Sequence, residues 1–102
     1  MIYVVATIEL IPGKRDEFLA LQKSLLPLVR AEAGCIEYVS SVDLPLNPEK
    51  NPPRGDVVVM QEKWDTLDHL KAHAVAPHMN DFRGKSKPLV KSTKVEVFEP
   101  VQ

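Results

Sequence analysis

Two segments of this chain are apolar without a break, Tyr3-Val4-Val5-Ala6 and Val57-Val58-Val59-Met60. Both sit in runs rich in β-branched residues, which favour strands. Successive side chains of a strand point to opposite faces of its sheet. Strands of this kind need cover on both faces. A chain of 102 residues has the length of one domain, so the cover must come from few elements.

The rest of the chain reads around that constraint. Residues 2–10 form the first strand, ended by Ile11-Pro12-Gly13. From Lys14 to about Ala31 the apolar residues Phe18, Leu21, Leu25, Leu28 and Val29 recur at helical spacing; the stripe is Phe18, Leu21, Leu25 and Leu28, with Asp16, Glu17, Lys23 and Glu32 off it. Pro27 predicts a kink or a loosened last turn. Gly34 suits a stop in the left-handed region. Residues 35–43 read as a second strand with Ile36, Tyr38, Ser40 and Val42 on one face. Residues 44–55 hold four of the nine prolines. No regular element survives that density, which leaves a long loop suited to a lid or a subunit contact. Residues 56–64 are a third strand. Asp65-Thr66 caps a helix through about Ala74. Pro77 opens a short helix to about Arg83, with Gly84 as its stop. Residues 93–99 are the last strand.

The order β-α-β-β-α-β predicts an α+β, ferredoxin-like fold, an antiparallel sheet with helices on one face, over a single domain 1–102. The helices cover one face of the two-sided strands. The other would be a large apolar patch in a monomer. The expectation is a homodimer packed sheet to sheet, with further assembly left open.

Composition removes several classes of function. Thirteen Lys and Arg against fourteen Asp and Glu give a net charge of -1, so no nucleic-acid partner is expected. The longest apolar run, Met1 to Ala6, falls far short of the roughly 20 residues of a membrane span. No basic stretch precedes a hydrophobic one at the N-terminus, so no secretory signal is expected. Cys35 is the single cysteine. It has no disulfide partner and no thiolate companions for a metal, and a reducing, cytoplasmic setting fits it best. No His or Lys neighbours it in sequence to activate the thiol. Phosphate-binding glycine motifs and a Gly-x-Ser-x-Gly elbow are absent.

The chemistry-bearing residues cluster late in the chain. His69 and His73 share a helix face, and His78 follows a proline break. Paired histidines can bind zinc, but no cysteine completes a set here, so no metal is expected. His73 is the candidate pocket acid or base, because imidazole titrates near neutral pH. The competing reading is an imidazole bonded for structure, and His78 is the weaker candidate of the two. Glu62 shares a strand face with Met60 and Trp64 and would be raised in pKa unless paired. It could hold a histidine tautomer, accept a substrate hydroxyl, or form a structural ion pair. Trp64 is a flat pocket wall or a core anchor. Tyr38 reaches a substrate oxygen or packs with its hydroxyl at the edge. Arg83, Lys85, Lys87, Lys91 and Lys94 stand without an acid from 83 to 94, an anion site or a solvated segment.

Gly34-Cys35 leading into a strand, Glu62-Lys63-Trp64 ending another, and Ala72-His73 followed by Pro77-His78-Met79 together resemble the antibiotic biosynthesis monooxygenase family. The quinol monooxygenase branch, with its long loop between strands two and three, is the most similar. The resemblance runs from Val4 to Pro100 and implies a dimeric α+β barrel. It also implies oxidation of a quinol or phenol by O2 without metal or flavin, in a pocket between sheet and helices. The pocket would be lined by Tyr38, Met60, Trp64, His78 and Phe82 around the catalytic pair His73 and Glu62. The family also holds haem-degrading enzymes and an isomerase of a phosphorylated signalling sugar, so the fold does not fix the reaction. The haem branch expects an Asn in the first strand, a Trp in the second helix and a His after it. Ala6 and Thr7, His73 and Arg83 occupy those places here, which argues against haem. An isomerase using the 83–94 segment and a non-catalytic ligand-binding barrel are the alternatives.

Overall fold

The computed structural model describes all residues from Met1 to Gln102. Its elements are β1 (Ile2–Leu10), α1 (Arg15–Arg30), β2 (Cys35–Ser41), β3 (Val57–Trp64), α2 (Leu67–Ala74), α3 (Pro77–Ser86), a 3-10 turn over Lys87–Leu89, and β4 (Val90–Phe98). The four strands form one antiparallel sheet in the order β2-β3-β1-β4. This is the expected ferredoxin-like fold.

The strand β1 lies inside the sheet and alternates strictly. Val4, Ala6, Ile8 and Leu10 are buried, and the residues between them are half-buried. Val58, Met60, Glu62 and Trp64 continue the buried face on β3. The opposite face carries Tyr3, Val5 and Val59. It also carries an ion pair between Lys63 and Glu37 at 3.2 Å, with the Lys63 ammonium 5.7 Å from the centre of the Tyr3 ring. That face is thus apolar at its centre and charged toward one end, more mixed than the runs of valine suggest.

Several boundaries differ from the sequence reading. The buried stripe of α1 is Phe18, Gln22, Leu25 and Val29, while Leu28 is 53% exposed. Two adjacent apolar rows fit the helical period, and the angle at which α1 crosses the sheet selects the one that contains Gln22. Pro27 does not break the helix, because its carbonyl accepts from Ala31 N at 3.1 Å and the helix runs on to Arg30. In β2 a register shift between Cys35 and Glu37 turns Ile36 outward, so it does not share a buried face with Tyr38. The strand ends at Ser41 and β3 begins at Val57. Gly84 lies within α3 rather than ending it. Its φ is not positive, and the helix continues until the 3-10 turn seats Leu89 in the core. β4 therefore starts at Val90, three residues before the expected point.

Two local devices fix the layers. Thr66 caps α2 by accepting from His69 N at 3.2 Å. Gly34 turns the chain from α1 into β2 with φ +79, and its carbonyl accepts from Asp65 N at 2.8 Å. A Cβ at Gly34 would collide with the imidazole ring of His69. The prolines of the 42–56 connection are held at its ends by Arg54, whose guanidinium donates to both carboxylate oxygens of Asp43 at 2.8 Å. That pairing holds the Asp43 carboxyl well below the ordinary carboxylate range.

The Gly34→Ala variant is expected to lose about 1–3 kcal/mol of stability, from the left-handed backbone and the contact with His69. Urea denaturation checks this through a lower midpoint at unchanged slope.

Candidate functional site

A cavity of about 370 Å³ lies between the sheet and the helices, within the range of small-molecule sites. Its floor is the buried face of β1 and β3, and its roof comes from α1, α2 and α3. Val95 and Val97, cross-strand from Ala6 and Val4, are 60% and 48% exposed. Val95 and Thr93 line the cavity, so it opens toward this strand. No residue of 44–55 lines it, and the proline-rich loop is not a lid in this arrangement.

Five of the seven residues singled out from sequence meet here: His73, Glu62, Tyr38, Met60 and Phe82 all line the cavity. Trp64 and His78 do not. Trp64 is fully buried beneath His73, with ring centroids 4.6 Å apart. It is a core anchor rather than a pocket wall. Its indole Nε1–H donates to Glu62 Oε1 at 3.0 Å. His78 lies behind the cavity and engages Glu32. His69 bonds Thr66 at the helix start. His73 and His78 meet only through Glu32 while His69 stands apart, and no three His, Cys, Asp or Glu side chains are grouped to hold a metal ion.

The buried His73 and Gln22 are each held by partners from other elements. His73 sits on the inner face of α2, 5% exposed. Its Nδ1 is 2.9 Å from Glu32 Oε2, and its Nε2 is 3.9 Å from Glu62 Oε1. Tyr38 packs edge-on against it at 5.6 Å. Gln22, buried on α1, accepts from Ser40 Oγ at 2.7 Å and donates to Met60 Sδ at 2.9 Å. Phe18 and Phe82 close the roof edge to face at 5.6 Å.

Burial shapes the acids. Desolvation pushes the Glu62 carboxyl up from its ordinary value. The Trp64 hydrogen bond and the His73 ring oppose that rise, while Glu32 adds to it. Desolvation, helped by Glu62 and Glu32, likewise drives the Tyr38 phenol far up, so at neutral pH it keeps its proton and can donate to a ligand. Burial and the same two carboxylates raise the Cys35 thiol, which makes it a poor nucleophile.

Sequence reasoning missed Glu32 and Gln22. Gln22 had a usable signal in its spacing from Phe18 and Val29. Glu32 had none, since its partners lie 41 and 46 residues along the chain. The basic segment disperses in three dimensions. Lys85 pairs with Asp81, Lys91 with Glu9 and Lys94 with Glu96, and Arg83 alone of the five lines the cavity.

A sequence model described as "Antibiotic biosynthesis monooxygenase" matches residues 1–85. The chain is 29% identical to "Probable quinol monooxygenase YgiN" of Escherichia coli over 98% of each protein. It is 34% identical to YcnE of Bacillus subtilis, provisionally named a monooxygenase, over 88% of this chain and 86% of that one. Among solved structures, a conserved Methanosarcina mazei protein superposes with a TM-score of 0.79 at 28% identity, covering 95% of this chain and 89% of that one. PA3566 of Pseudomonas aeruginosa reaches 0.82 at 23% identity, over 99% and 94%.

The Glu62→Gln variant tests the electrostatics directly. Glu62 has a folded pKa above its unfolded one, so the folded state holds this proton more tightly. Its ionisation costs no folding stability below the unfolded pKa near 4.5, and the cost appears as pH rises through the folded pKa. The variant's stability relative to the parent is therefore expected to improve between pH 4 and pH 8, followed by denaturation at each pH.

Proposed function

This chain belongs to the antibiotic biosynthesis monooxygenase family, and we propose that it oxidises a small quinol or polyphenol with O2, without a bound cofactor. The observation that supports this most is an apolar cavity of about 370 Å³ with His73, Glu62 and Tyr38 on one side of it. That space suits one or two fused rings. The YgiN relative is itself named a probable quinol monooxygenase.

In this reading the ring lies among Met60, Phe82 and Ile8. The Nε2 of His73 takes a proton from a substrate hydroxyl. The raised Glu62 carboxyl and the neutral Tyr38 phenol bind the substrate's oxygens. The quinolate then reduces O2 and combines with it at a ring carbon to give a hydroperoxide. Loss of the ring C–H proton and cleavage of the O–O bond leave a carbonyl on the ring, and the departing hydroxide takes a proton to form water. The quinol supplies all four electrons: one oxygen atom enters the product and the other leaves as water. The apolar walls of the cavity limit the access of bulk water to the oxygenated intermediate.

The mixed outer face of the sheet, apolar at Tyr3, Val5 and Val59, supports the proposal of a homodimer with the two sheets facing. An isomerase of a phosphorylated sugar would need an anion cradle, and the dispersal of the basic segment into local ion pairs leaves Arg83 as the one cavity cation of that segment.

Oxygen uptake with 1,4-dihydroxynaphthalene above the uncatalysed rate is the expected activity, and product formation should stop under argon. His73→Ala is expected to lower kcat/KM about 10²–10⁴-fold, the usual contribution of a general base. Unchanged uptake in that variant would remove His73 from the mechanism. Turnover of a phosphorylated ketose under argon would overturn the oxygenase reading. Sedimentation at micromolar concentration is expected to give a dimer, and a stable monomer would sink the paired-sheet arrangement.

A further inference from the structure

Glu32 takes part in no step described above, yet its carboxylate holds two histidines. It lies in the turn between α1 and β2, and its side chain is only 13% exposed. One oxygen, Oε2, meets two rings from different elements: His73 Nδ1 of α2 at 2.9 Å and His78 Nε2 of α3 at 2.7 Å.

A carboxylate offers only lone pairs, so each ring atom facing it must carry a hydrogen. Neutral imidazole has a single N–H. In the neutral ring of His73 the hydrogen is therefore on Nδ1, and its Nε2 is left with a free lone pair. The Nε2 atom lies on the cavity side, because its nearest acidic neighbour, Glu62, lines the cavity whereas Glu32 does not. The 3.9 Å between Nε2 and Glu62 Oε1 is too long for a direct hydrogen bond, so that lone pair is not consumed within the protein. The His78 N–H, on the same Glu32 oxygen, fixes the carboxylate from behind.

We propose that Glu32, braced by His78, is a positioning residue that locks His73 in the Nδ1–H tautomer and so presents Nε2 to the cavity as the acceptor of a substrate proton. This rests on the reading of His73 as the base. It adds that the base is set by a residue outside the cavity. The buried pair couples the α1–β2 turn to α2 and α3. The reactive nitrogen is thereby held by the packing of three elements rather than by its own helix, in the way that outer hydrogen bonds orient functional histidines elsewhere.

Long-range ¹⁵N–¹³C NMR on the ligand-free parent protein reads the tautomer without any substitution. His73 is expected as Nδ1–H, and an Nε2–H ring would overturn the proposal. In Glu32→Ala the ring should move toward the Nε2–H form, and kcat for 1,4-dihydroxynaphthalene should fall about 10–100-fold with KM little changed, as for other outer-partner losses. Glu32→Gln keeps an acceptor oxygen and should restore the tautomer and most of kcat. A purely structural Glu32 would instead lower the melting temperature of Glu32→Ala and leave tautomer and kcat as they were, which also overturns the proposal. The base reading fails separately, in His73→Ala. Full turnover in that variant overturns the proton-acceptor role of His73 and with it this proposal, whatever the tautomer.

Discussion

The burial of ionisable groups inside an apolar layer is the constraint on which this structure turns. Glu62 and His73 sit among valines, methionines and aromatic rings, where an unpartnered charge or polar group costs several kcal/mol. Each is compensated by a specific donor or acceptor: the Trp64 indole for Glu62, and Glu32 for His73. The chain supplies these partners from β3, from the α1–β2 turn, and from α3 through His78. The layers must pack in one way for all of these contacts to form together.

That dependence links the fold to the cavity. Gly34 lets the chain turn tightly enough to place Glu32 above the start of β2. The β3 register sets Glu62 and Trp64 on one face, two residues apart, so that the indole reaches the carboxylate. Gln22 does the same from α1, with its amide engaged by Ser40 and Met60. The exposed side of β4 leaves the cavity open along one edge, the route by which a flat ligand would enter.

Much of the fold was legible because strands and helices announce themselves through short periods. The runs Tyr3–Ala6 and Val57–Met60, the Thr66 cap and Pro77 at a helix start each act over a few residues, and each held in three dimensions. Errors arose where two local answers were equally good. Leu28 and Val29 both continue an apolar row of α1, and only the packing angle chooses between them. Gly84 can stop a helix or lie in one, and the buried Leu89 beyond it decides. Ile36 fits the alternation of its strand until the register shift beside it turns the side chain out.

The sequence by itself determined the order of elements, the two-sided strands, and the place of Glu62 on one strand face with Met60 and Trp64, since these follow from side-chain periodicity along one element. Tertiary structure alone decided that Trp64 lies beneath His73 instead of lining the cavity, that His78 stands behind it, and that the basic segment divides into separate ion pairs. It alone brought Glu32 to both histidines. Those outcomes depend on distances between residues far apart in the chain, which are fixed by how helices cross a twisted sheet and leave no periodic trace in the sequence.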